Sequence, residues 1–289
     1  MIFNKNEIFS LWIKNPPSPM NYLTWKSWID CGYKVVIFSD DLKLFEQVPK
    51  YILQRITISP IPYLSSLPSF TITKENLLQF ADLWRFIYLY QCGGTWIDSD
   101  LMLRKRLPSD NIIISSEHTL KSGGRKSKSD FTPNIGVLRF PPHHPFVNAV
   151  IEAMKPTTKA DLNHNVNNTS KMKKFINEIK KKKWGHIFDK VVEPHIFCPV
   201  PYPFAKEIFT SHYENTKIKY GLNFNYTDES TIGLHLWENL VLNKYKVNPN
   251  QRHEECIFNK WNLLKKPLSV MKECSGDSST TADLDSPVV

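Results

Sequence analysis

Short apolar runs alternate with a helical segment over the first forty residues, and this alternation constrains the fold more than any other feature of the sequence. Residues 8–13 (IFSLWI) and 34–40 (KVVIFSD) are short apolar runs bounded by polar residues, as is typical of buried strands. Between them, residues 21–32 carry apolar side chains at mixed helical spacing and end at Gly32. This strand–helix–strand opening predicts a layered α/β fold.

The rest of the chain continues the pattern. Further predicted strands lie at 54–59, 111–117 and 134–140, and predicted helices at 73–92, 144–154 and 170–183. The chain has 289 residues, enough for one large domain with a sizeable core. Because the end of the chain is rich in Ser, Thr and Asp, we expect one domain over residues 1–270 and a disordered polar tail over 271–289.

Charge and cysteine usage narrow the classes of function. A formal net charge of +9 suits an anionic partner, although simple solubility explains it equally well. No recognisable nucleic-acid-binding motif is present, so we predict no nucleic-acid partner. The five cysteines are scattered without metal-binding spacing, which favours reduced thiols, and neither a signal peptide nor an 18-residue apolar run is visible. We therefore expect a cytoplasmic protein.

Two lysine-rich segments keep two interpretations each. Residues 118–130 (HTLKSGGRKSKSD) are predicted as a basic loop, which is either mobile and solvated or able to close over an active site or hold the acceptor. Residues 171–183 are predicted as a helix with lysines opposite an apolar face. That face is either solvated or a peripheral contact with a membrane surface.

An Asp-x-Asp pair follows a predicted buried strand. If Asp98 and Asp100 continue that strand, their side chains point to the same side, with Ser99 opposite. Two adjacent carboxylates repel each other unless a cation lies near them, and oxygen ligands suit Mg²⁺ or Mn²⁺. Ligands gather at the carboxyl ends of strands in α/β sheets, so this context raises the significance of the pair.

A second charged pair lies in the apolar helix just before it. Asp82 and Arg85 are three residues apart, so they share one helix face. Buried charges are rare unless they are paired or functional. The spacing allows either a structural salt bridge or contact with a substrate.

Together these residues resemble the signature of a known family. The pattern A-D-x-x-R-x-x-x-L-x-x-x-G-G-x-[YW]-x-D-x-D, here Ala81 to Asp100, is similar to that of the DXD-containing sugar-binding-region glycosyltransferases. That group includes yeast-type initiating mannosyltransferases, bacterial capsular sugar transferases and the catalytic domains of the clostridial glucosylating toxins. The resemblance extends outward through LWIKNPPSP, NIGVLRFPPHHPF and GLHLWEN, over roughly residues 8–240. In the first of these, Lys14 and Asn15 replace the family's usual glycine region.

The resemblance implies a fold and a set of donor-binding residues. The fold would be the GT-A type, a single Rossmann-like domain with a mixed central sheet. The donor sugar would be held by Asp82, Arg85 and Asn134. The nucleotide would be bound by Trp12, Asp98 and Trp237, with Trp12 stacked on the base and the Trp237 indole N–H donating to a phosphate oxygen.

The resemblance also implies a metal site and a reaction. Asp98, Asp100 and His235 would hold Mn²⁺ or Mg²⁺, with Asp98 and Asp100 as the catalytic pair. The activity would be transfer of a hexose from a UDP- or GDP-sugar to a glycan or protein acceptor, with retention of anomeric configuration. No unambiguous nucleophile stands out in the sequence, which favours a front-face mechanism.

Two other functions remain open from the sequence alone. One is a catalytically inactive module that binds carbohydrates or anionic polymers, consistent with the positive charge. The other is a DxD phosphohydrolase, which would require Thr or Val where Met102 stands. The oligomeric state is left open.

Overall fold

The computed structural model describes residues 3–63, 76–120, 126–154, 185–210, 226–252 and 254–263. The strands are β1 Glu7–Leu11, β2 Lys34–Ser39, β3 Ile56–Pro60, β4 Gly94–Ile97, β5 Leu101–Leu103, β6 Ile113–Leu120, β7 Lys126–Phe140 and β8 Gly233–His235. The α-helices are α1 Pro19–Asp30, α2 Lys50–Leu53, α3 Leu77–Cys92, α4 Pro145–Met154, α5 Gly185–Phe188 and α6 Ile257–Leu263.

A six-stranded mixed sheet with the order β3-β2-β1-β4-β7-β6 forms the centre of the fold. Strands β1 to β4 pair in parallel, whereas β7 is antiparallel to β4 and to β6. A separate two-stranded sheet pairs β5 with β8. The predicted α/β class with a mixed central sheet is therefore confirmed.

Helices cover both faces of the sheet, and alternate residues of each strand divide between them. Phe9 and Val36 pack with α3 and α4 in one core cluster. Ile8 and Val35 pack on the opposite face with Trp25 of α1. Because both faces are buried, the parallel strands are nearly continuous apolar runs, which is why they could be recognised in the sequence.

Helix α1 starts two residues earlier than the predicted range 21–32. Its N-cap is Ser18, whose side chain accepts the backbone N–H of Asn21, and the Asn21 side chain accepts the N–H of Ser18 in return. Pro19 occupies the first turn, where a missing N–H costs nothing. Gly32, beyond the C-terminal end, has φ of 79°, as the predicted glycine stop requires.

Helix α3 begins at Leu77 after Asn76, and it ends where Gly93 was predicted to end it. The predicted N-cap Thr73 lies outside the described residues. Gly93 has φ of 66°, and a Cβ there would lie 2.6 Å from the Pro142 ring. A larger residue would therefore clash with the chain that follows β7.

The prediction of a loop over residues 118–130 is wrong at both ends of that range, and residues 121–125 lie outside the described residues. Strand β6 continues to Leu120 and β7 begins at Lys126, and these two residues are register partners in an antiparallel hairpin. Register shifts between Ile114 and Ser116 and between His118 and Leu120 interrupt the ladder. The apolar pattern used to find strands is missing from this basic segment, so nothing in the sequence indicated the backbone pairing.

The predicted helix at 144–154 is confirmed as α4. The predicted helix at 170–183 and the predicted polar tail at 271–289 lie outside the described residues. In the part of the chain that the structure describes, no helix is both long and apolar enough to cross a membrane.

Candidate active site

The Asp-x-Asp pair lies in a tight turn between β4 and β5, and not within a strand as strand alternation assumed. The N–H of Leu101 donates to the Asp98 carbonyl at 2.9 Å, which closes the turn. Ser99 nevertheless points away from the carboxylates, because its hydroxyl lies 2.9 Å from the Ser10 hydroxyl of β1 in the buried interior. The turn, rather than the strand pleat, places both carboxylates on one side.

His235 faces the two carboxylates from β8. Pairing of β5 with β8 puts Leu101 opposite His235, which brings the imidazole next to the turn. The His235 Nε2 lies 3.1 Å from an Asp100 oxygen and 4.0 Å from an Asp98 oxygen. One ligand atom from each of these three residues lies within 4.8 Å of the others, an arrangement that could hold a metal ion.

The charges of this cluster depend on each other. Burial lowers the pKa of His235, but the Asp100 carboxylate outweighs burial and leaves that pKa well above its usual value. Burial raises the pKa of Asp100, but His235 and the N–H of Glu238 outweigh it and leave that pKa low. The paired acids thus require positive charge beside them.

The other side of His235 is held by packing. Its Nδ1 lies 3.7 Å from the Cys198 Sγ, and its ring stacks on Trp237 at a centroid distance of 3.9 Å. With Nδ1 facing the thiol, Nε2 is the nitrogen that faces the carboxylates. Burial raises the pKa of the Cys198 thiol, so Cys198 stays neutral next to the ring.

Arg85 forms the salt bridge with Asp82 that the sequence left open, and it also contacts Asp98 and the backbone of β7. Its guanidinium contacts one oxygen of Asp82 and one of Asp98, each at 2.8 Å, and donates to the Ile135 carbonyl at 2.9 Å. It lies 4.4 Å from the centre of the Trp96 ring. Arg85 therefore restrains the same Asp98 oxygen that accepts the Trp96 indole N–H, and leaves the other oxygen toward His235.

Asp82 is the buried partner of Arg85, and burial disfavours its charged form. Its side chain is 14% exposed. Burial raises the pKa of Asp82 to about 6, although the Arg85 guanidinium opposes that rise. The Asp82 side chain therefore takes up a proton in mildly acidic solution, at about pH 6.

The loop after β1 contains Trp12 and the residue that replaces the family's glycine. Lys14 has φ of 73°, a conformation that favours glycine. Asp40 stabilises it by accepting the Lys14 backbone N–H at 3.2 Å and by pairing with its ammonium at 3.2 Å. The turn brings the Asn15 carbonyl to the Trp12 indole N–H at 2.6 Å, which fixes the indole.

Asn134 and Gly136 form the floor beneath the carboxylates. The Asn134 side-chain oxygen accepts the Gly136 N–H at 2.6 Å, and its amide group donates to Glu117 at 3.4 Å. A Cβ on Gly136 would lie 2.8 Å from that Asn134 oxygen and 3.4 Å from an Asp98 oxygen. Only glycine allows β7 to approach the cluster this closely.

A cavity of about 330 Å³ opens beside the cluster. It brings together the predicted residues Trp12, Arg85, Asp98, Asp100 and His235. The volume falls within the usual range of small-molecule sites. The predicted residues Asp82, Asn134 and Trp237 are not among the residues that line it.

Trp237 differs most from its predicted role. Its indole N–H donates to the Val200 carbonyl at 3.1 Å, so this group is already engaged. Its φ of 54° is rare for a large side chain and identifies a strained position next to the site. Donation to a phosphate remains a prediction that requires this bond to break.

Glu238 is a site residue that the sequence reasoning missed. It lines the cavity, is 9% exposed, and its backbone N–H donates to the second Asp100 oxygen at 3.0 Å. Burial raises the pKa of its carboxyl group, although Ser18 and Asn21 oppose that rise. The available signal was an acidic residue directly after His235-Leu236-Trp237, the H-x-W pattern within GLHLWEN, in an apolar segment.

The comparison with known families defines the class of protein. Residues 18–119, about a third of the chain, match the family model of the glycosyltransferase sugar-binding region containing the DXD motif. The chain carries this region, and the protein is a glycosyltransferase. The matched residues include α3 and the Asp98–Asp100 turn, whereas Trp12, Asn134, His235 and Trp237 lie outside them.

Three solved structures of glycosyltransferases resemble the chain, each at low sequence identity and low structural similarity. PaToxG Glycosyltransferase shares 16% identity at a TM-score of 0.44, over 64% of this chain and 73% of that one. The glycosyltransferase GlyE of Streptococcus pneumoniae TIGR4 shares 15% at 0.44, over 91% of this chain but only 65% of its own. The galactosyltransferase LgtC, solved with donor and acceptor sugar analogs, shares 12% at 0.42, over 90% and 95%. At this distance the three carry no functional assignment, and no curated protein matches the chain.

Proposed function

We propose that this glycosyltransferase is a metal-dependent, retaining enzyme that transfers a hexose from a UDP- or GDP-sugar to a glycan or protein acceptor. One observation carries the proposal: the convergence of Asp98, Asp100 and His235 on the wall of a cavity that also contains Trp12 and Arg85. A nucleotide sugar presents a flat base, a diphosphate and a hydroxylated ring. The cavity offers an indole, a cluster suited to a cation, and a guanidinium.

The residues of the cluster fit a divalent cation. Two carboxylate oxygens and one imidazole nitrogen are ligands that Mn²⁺ accepts, and the nitrogen favours Mn²⁺ over Mg²⁺. When bound, the cation would neutralise charge that develops on the departing diphosphate. The oxygens that Asp98 and Asp100 turn toward His235 are those left by the bonds from Arg85 and Glu238.

Arg85 and Trp12 have separate roles in this proposal. Arg85 holds Asp98 in place and, from the cavity wall, donates to hydroxyl groups of the donor sugar, with Asp82 orienting the guanidinium. Trp12 presents a fixed indole that stacks on the nucleobase. Asn134 acts from outside the lining, by holding Gly136 of β7 close to Asp98 and His235.

Retention by a front-face route is supported by the state of the acidic residues. Three carboxylates line the cavity among the described residues, and all are engaged: Asp98 by Arg85, Asp100 by His235, and Glu238 by Ser18. A nucleophile for double displacement would need a carboxylate directed at the anomeric carbon. The leaving phosphate is then the group that accepts the acceptor's proton.

A thermal-shift screen of UDP- and GDP-sugars with Mn²⁺ tests the donor assignment. A donor that binds the folded state raises the melting temperature by mass action, and the shift should require Mn²⁺. Asp100→Asn should abolish the Mn²⁺-dependent part of the shift. Asp30→Asn, at the distant end of α1 where Asp30 pairs with Lys26, is the matched control and should keep it.

Turnover separates an enzyme from a binding module. We expect slow donor hydrolysis in the presence of Mn²⁺ and none after chelation. A shift without hydrolysis at any metal concentration would favour an inactive carbohydrate-binding module, and a product of inverted configuration by NMR would contradict the retaining mechanism. An unchanged shift in Asp100→Asn would contradict the metal assignment.

A further inference from the structure

The side chain of Glu238, on the wall of the cavity, reaches the beginning of α1. One carboxylate oxygen accepts the Ser18 hydroxyl at 2.6 Å, and the other accepts the Asn21 amide at 2.8 Å. Ser18 is the N-cap of α1, and Asn21 completes its capping box. The carboxylate therefore joins the start of a helix to a segment more than 200 residues away in the sequence.

The same residues form a closed ring of bonds around Asp100. The Glu238 backbone N–H donates to the Asp100 carboxylate at 3.0 Å. The Asn21 amide, in addition to its bond with Glu238, donates to the Ser99 carbonyl at 3.2 Å. This ring thus restrains Asp100 at its carboxylate, by Glu238, and at its backbone, through Ser99, by Asn21, in addition to the Leu236 N–H that the Asp100 carbonyl accepts at 2.8 Å.

Electrostatics and strain both favour this ring. Helix α1 has no acidic residue in its own first turn, so Glu238 supplies the negative charge that a helix N-terminus attracts. The preceding residue, Trp237, has a φ of 54°, a strained conformation that persists only when its surroundings impose it. The bonds from Glu238 to α1 hold the end of that turn in place.

We propose that Glu238 is a positioning residue which couples the N-terminal end of α1 to the metal ligand Asp100. This inference rests on the proposed function, because it concerns the affinity of the Asp98–Asp100–His235 cluster for its cation. Without the carboxylate, the 235–238 turn separates from α1 and the Glu238 N–H no longer fixes the Asp100 carboxylate. The remaining Asp100 oxygen then loses its defined direction toward His235.

The test is Mn²⁺ binding to the full chain, measured by the electron paramagnetic resonance of free Mn²⁺ without nucleotide. Loss of a group that orients a metal ligand usually weakens metal binding about 10–100-fold, and we expect Glu238→Ala to weaken it by at least about 10-fold. The matched control is Glu207→Ala. Glu207 is also a buried carboxylate, 3% exposed, but it accepts the hydroxyl of Thr210, away from the cluster. The Glu207→Ala variant should lose thermal stability and keep the Mn²⁺ affinity of the wild type.

Kinetics separate positioning from chemistry. In Glu238→Ala the Mn²⁺ concentration for half-maximal hydrolysis should rise, while kcat at saturating Mn²⁺ changes less. Glu238→Gln keeps one oxygen that can accept the Asn21 amide, and its new amide group can donate to the Ser18 hydroxyl oxygen, so its affinity should fall between wild type and Glu238→Ala. Affinity in Glu238→Gln as weak as in Glu238→Ala would overturn positioning through these bonds.

Variants of the partner side provide an independent measurement. Asn21→Ala removes the opposite end of the ring, and the double variant Asn21→Ala with Glu238→Ala should bind Mn²⁺ no more weakly than the weaker single variant. Should Glu238→Ala fail to fold, Ser18→Ala and Asn21→Ala answer the same question. Unchanged affinity in the folded variants would overturn the inference, as would an equal loss in Glu207→Ala. Absence of Mn²⁺ binding in the wild type would overturn the metal dependence itself, and the inference with it.

Discussion

The two halves of the candidate metal site are built in different ways. The first half, which consists of α3 and the Asp98–Asp100 turn, is compact in sequence and held by the buried Arg85. The second half, residues 233–238, belongs to a separate two-stranded sheet and meets the first half through His235 and Glu238. Trp237, one of the two residues between His235 and Glu238, has a strained backbone conformation.

This difference indicates that the first half is held in place by its own packing. The second half completes the site, and a few hydrogen bonds fix its position against the Asp98–Asp100 turn. Packing around α3 and β4 would hold Asp98 even if residues 233–238 moved, since Arg85 and Trp96 both donate to it. His235 is supported by stacking on its neighbour Trp237, whereas Glu238 depends on Ser18 and Asn21, which are more than 200 positions away. Substitution of Arg85, which supports the first half, should therefore affect folding, and substitutions in the second half should mainly affect cation binding.

The largest expected effect is on stability, from Arg85→Met. Its loss leaves Asp82 and Asp98 without their shared positive charge inside the protein, and breaking a buried ion pair in this way costs about 3–5 kcal/mol. Chemical denaturation followed by fluorescence measures the change. The control is Arg106→Met, because Arg106 is exposed and lies over the Tyr33 ring. A loss in Arg85→Met no greater than in the control would show that α3 is not anchored by its arginine.

Asp82→Asn should separate the structural and substrate roles of the first half. The pKa of Asp82 is raised from 3.8 to about 6, so the folded state binds a proton more readily than the unfolded state. Its contribution to stability therefore falls as pH rises from about 4 to about 6, by up to about 3 kcal/mol. The variant cannot titrate, so its melting temperature relative to wild type should increase across this interval.

Donor hydrolysis by Asp82→Asn should nevertheless decrease, because Asp82 would no longer orient Arg85 toward the sugar. A stability difference that does not vary between pH 4 and pH 8 would contradict the raised pKa. Unchanged hydrolysis would make the salt bridge purely structural, as one interpretation of the sequence allowed.

The sequence predicted the first half well because its signals are local. Helical spacing placed Asp82 and Arg85 on one face, Gly93 ended the helix, and the resemblance carried the assignment of Asp98 and Asp100. The strand argument for the two acids was wrong in detail, because a turn produces the same convergence. Local patterns do not distinguish a strand end from a tight turn.

The second half was accessible only through resemblance, and incompletely. His235 could be assigned from the H-x-W pattern, but its bond to Asp100 crosses 135 positions and depends on the pairing of β5 with β8. The signal at Glu238, an acidic residue directly after Trp237, does not distinguish a surface glutamate from one that bonds to the N-terminal end of a distant helix. The hairpin at 118–130 was missed because its pairing carries no apolar alternation.

His235→Ala tests the closure directly. Removing one of three ligands should weaken Mn²⁺ binding by about 100-fold or more, beyond the loss typical of residues that only orient a ligand. Stability should change less than in Arg85→Met, because α3 and its salt bridges remain. His195→Ala is the control, since His195 contacts Ser230 away from the cluster. Metal affinity unchanged in His235→Ala would remove the second half from the metal site.

The smallest expected effect concerns the loop that holds Trp12. There, Lys14→Gly should be more stable than Lys14→Ala, the reverse of the usual order of stability. Alanine normally stabilises relative to glycine, but Lys14 has φ of 73°, where a Cβ costs about 1–2 kcal/mol. Both Lys14→Gly and Lys14→Ala lose the ion pair with Asp40, which is partly exposed and contributes little. Lys14→Gly should therefore be the more stable by about 1 kcal/mol in denaturation measurements. If Lys14→Ala is the more stable of the two, the loop does not hold the left-handed turn that fixes the Trp12 indole.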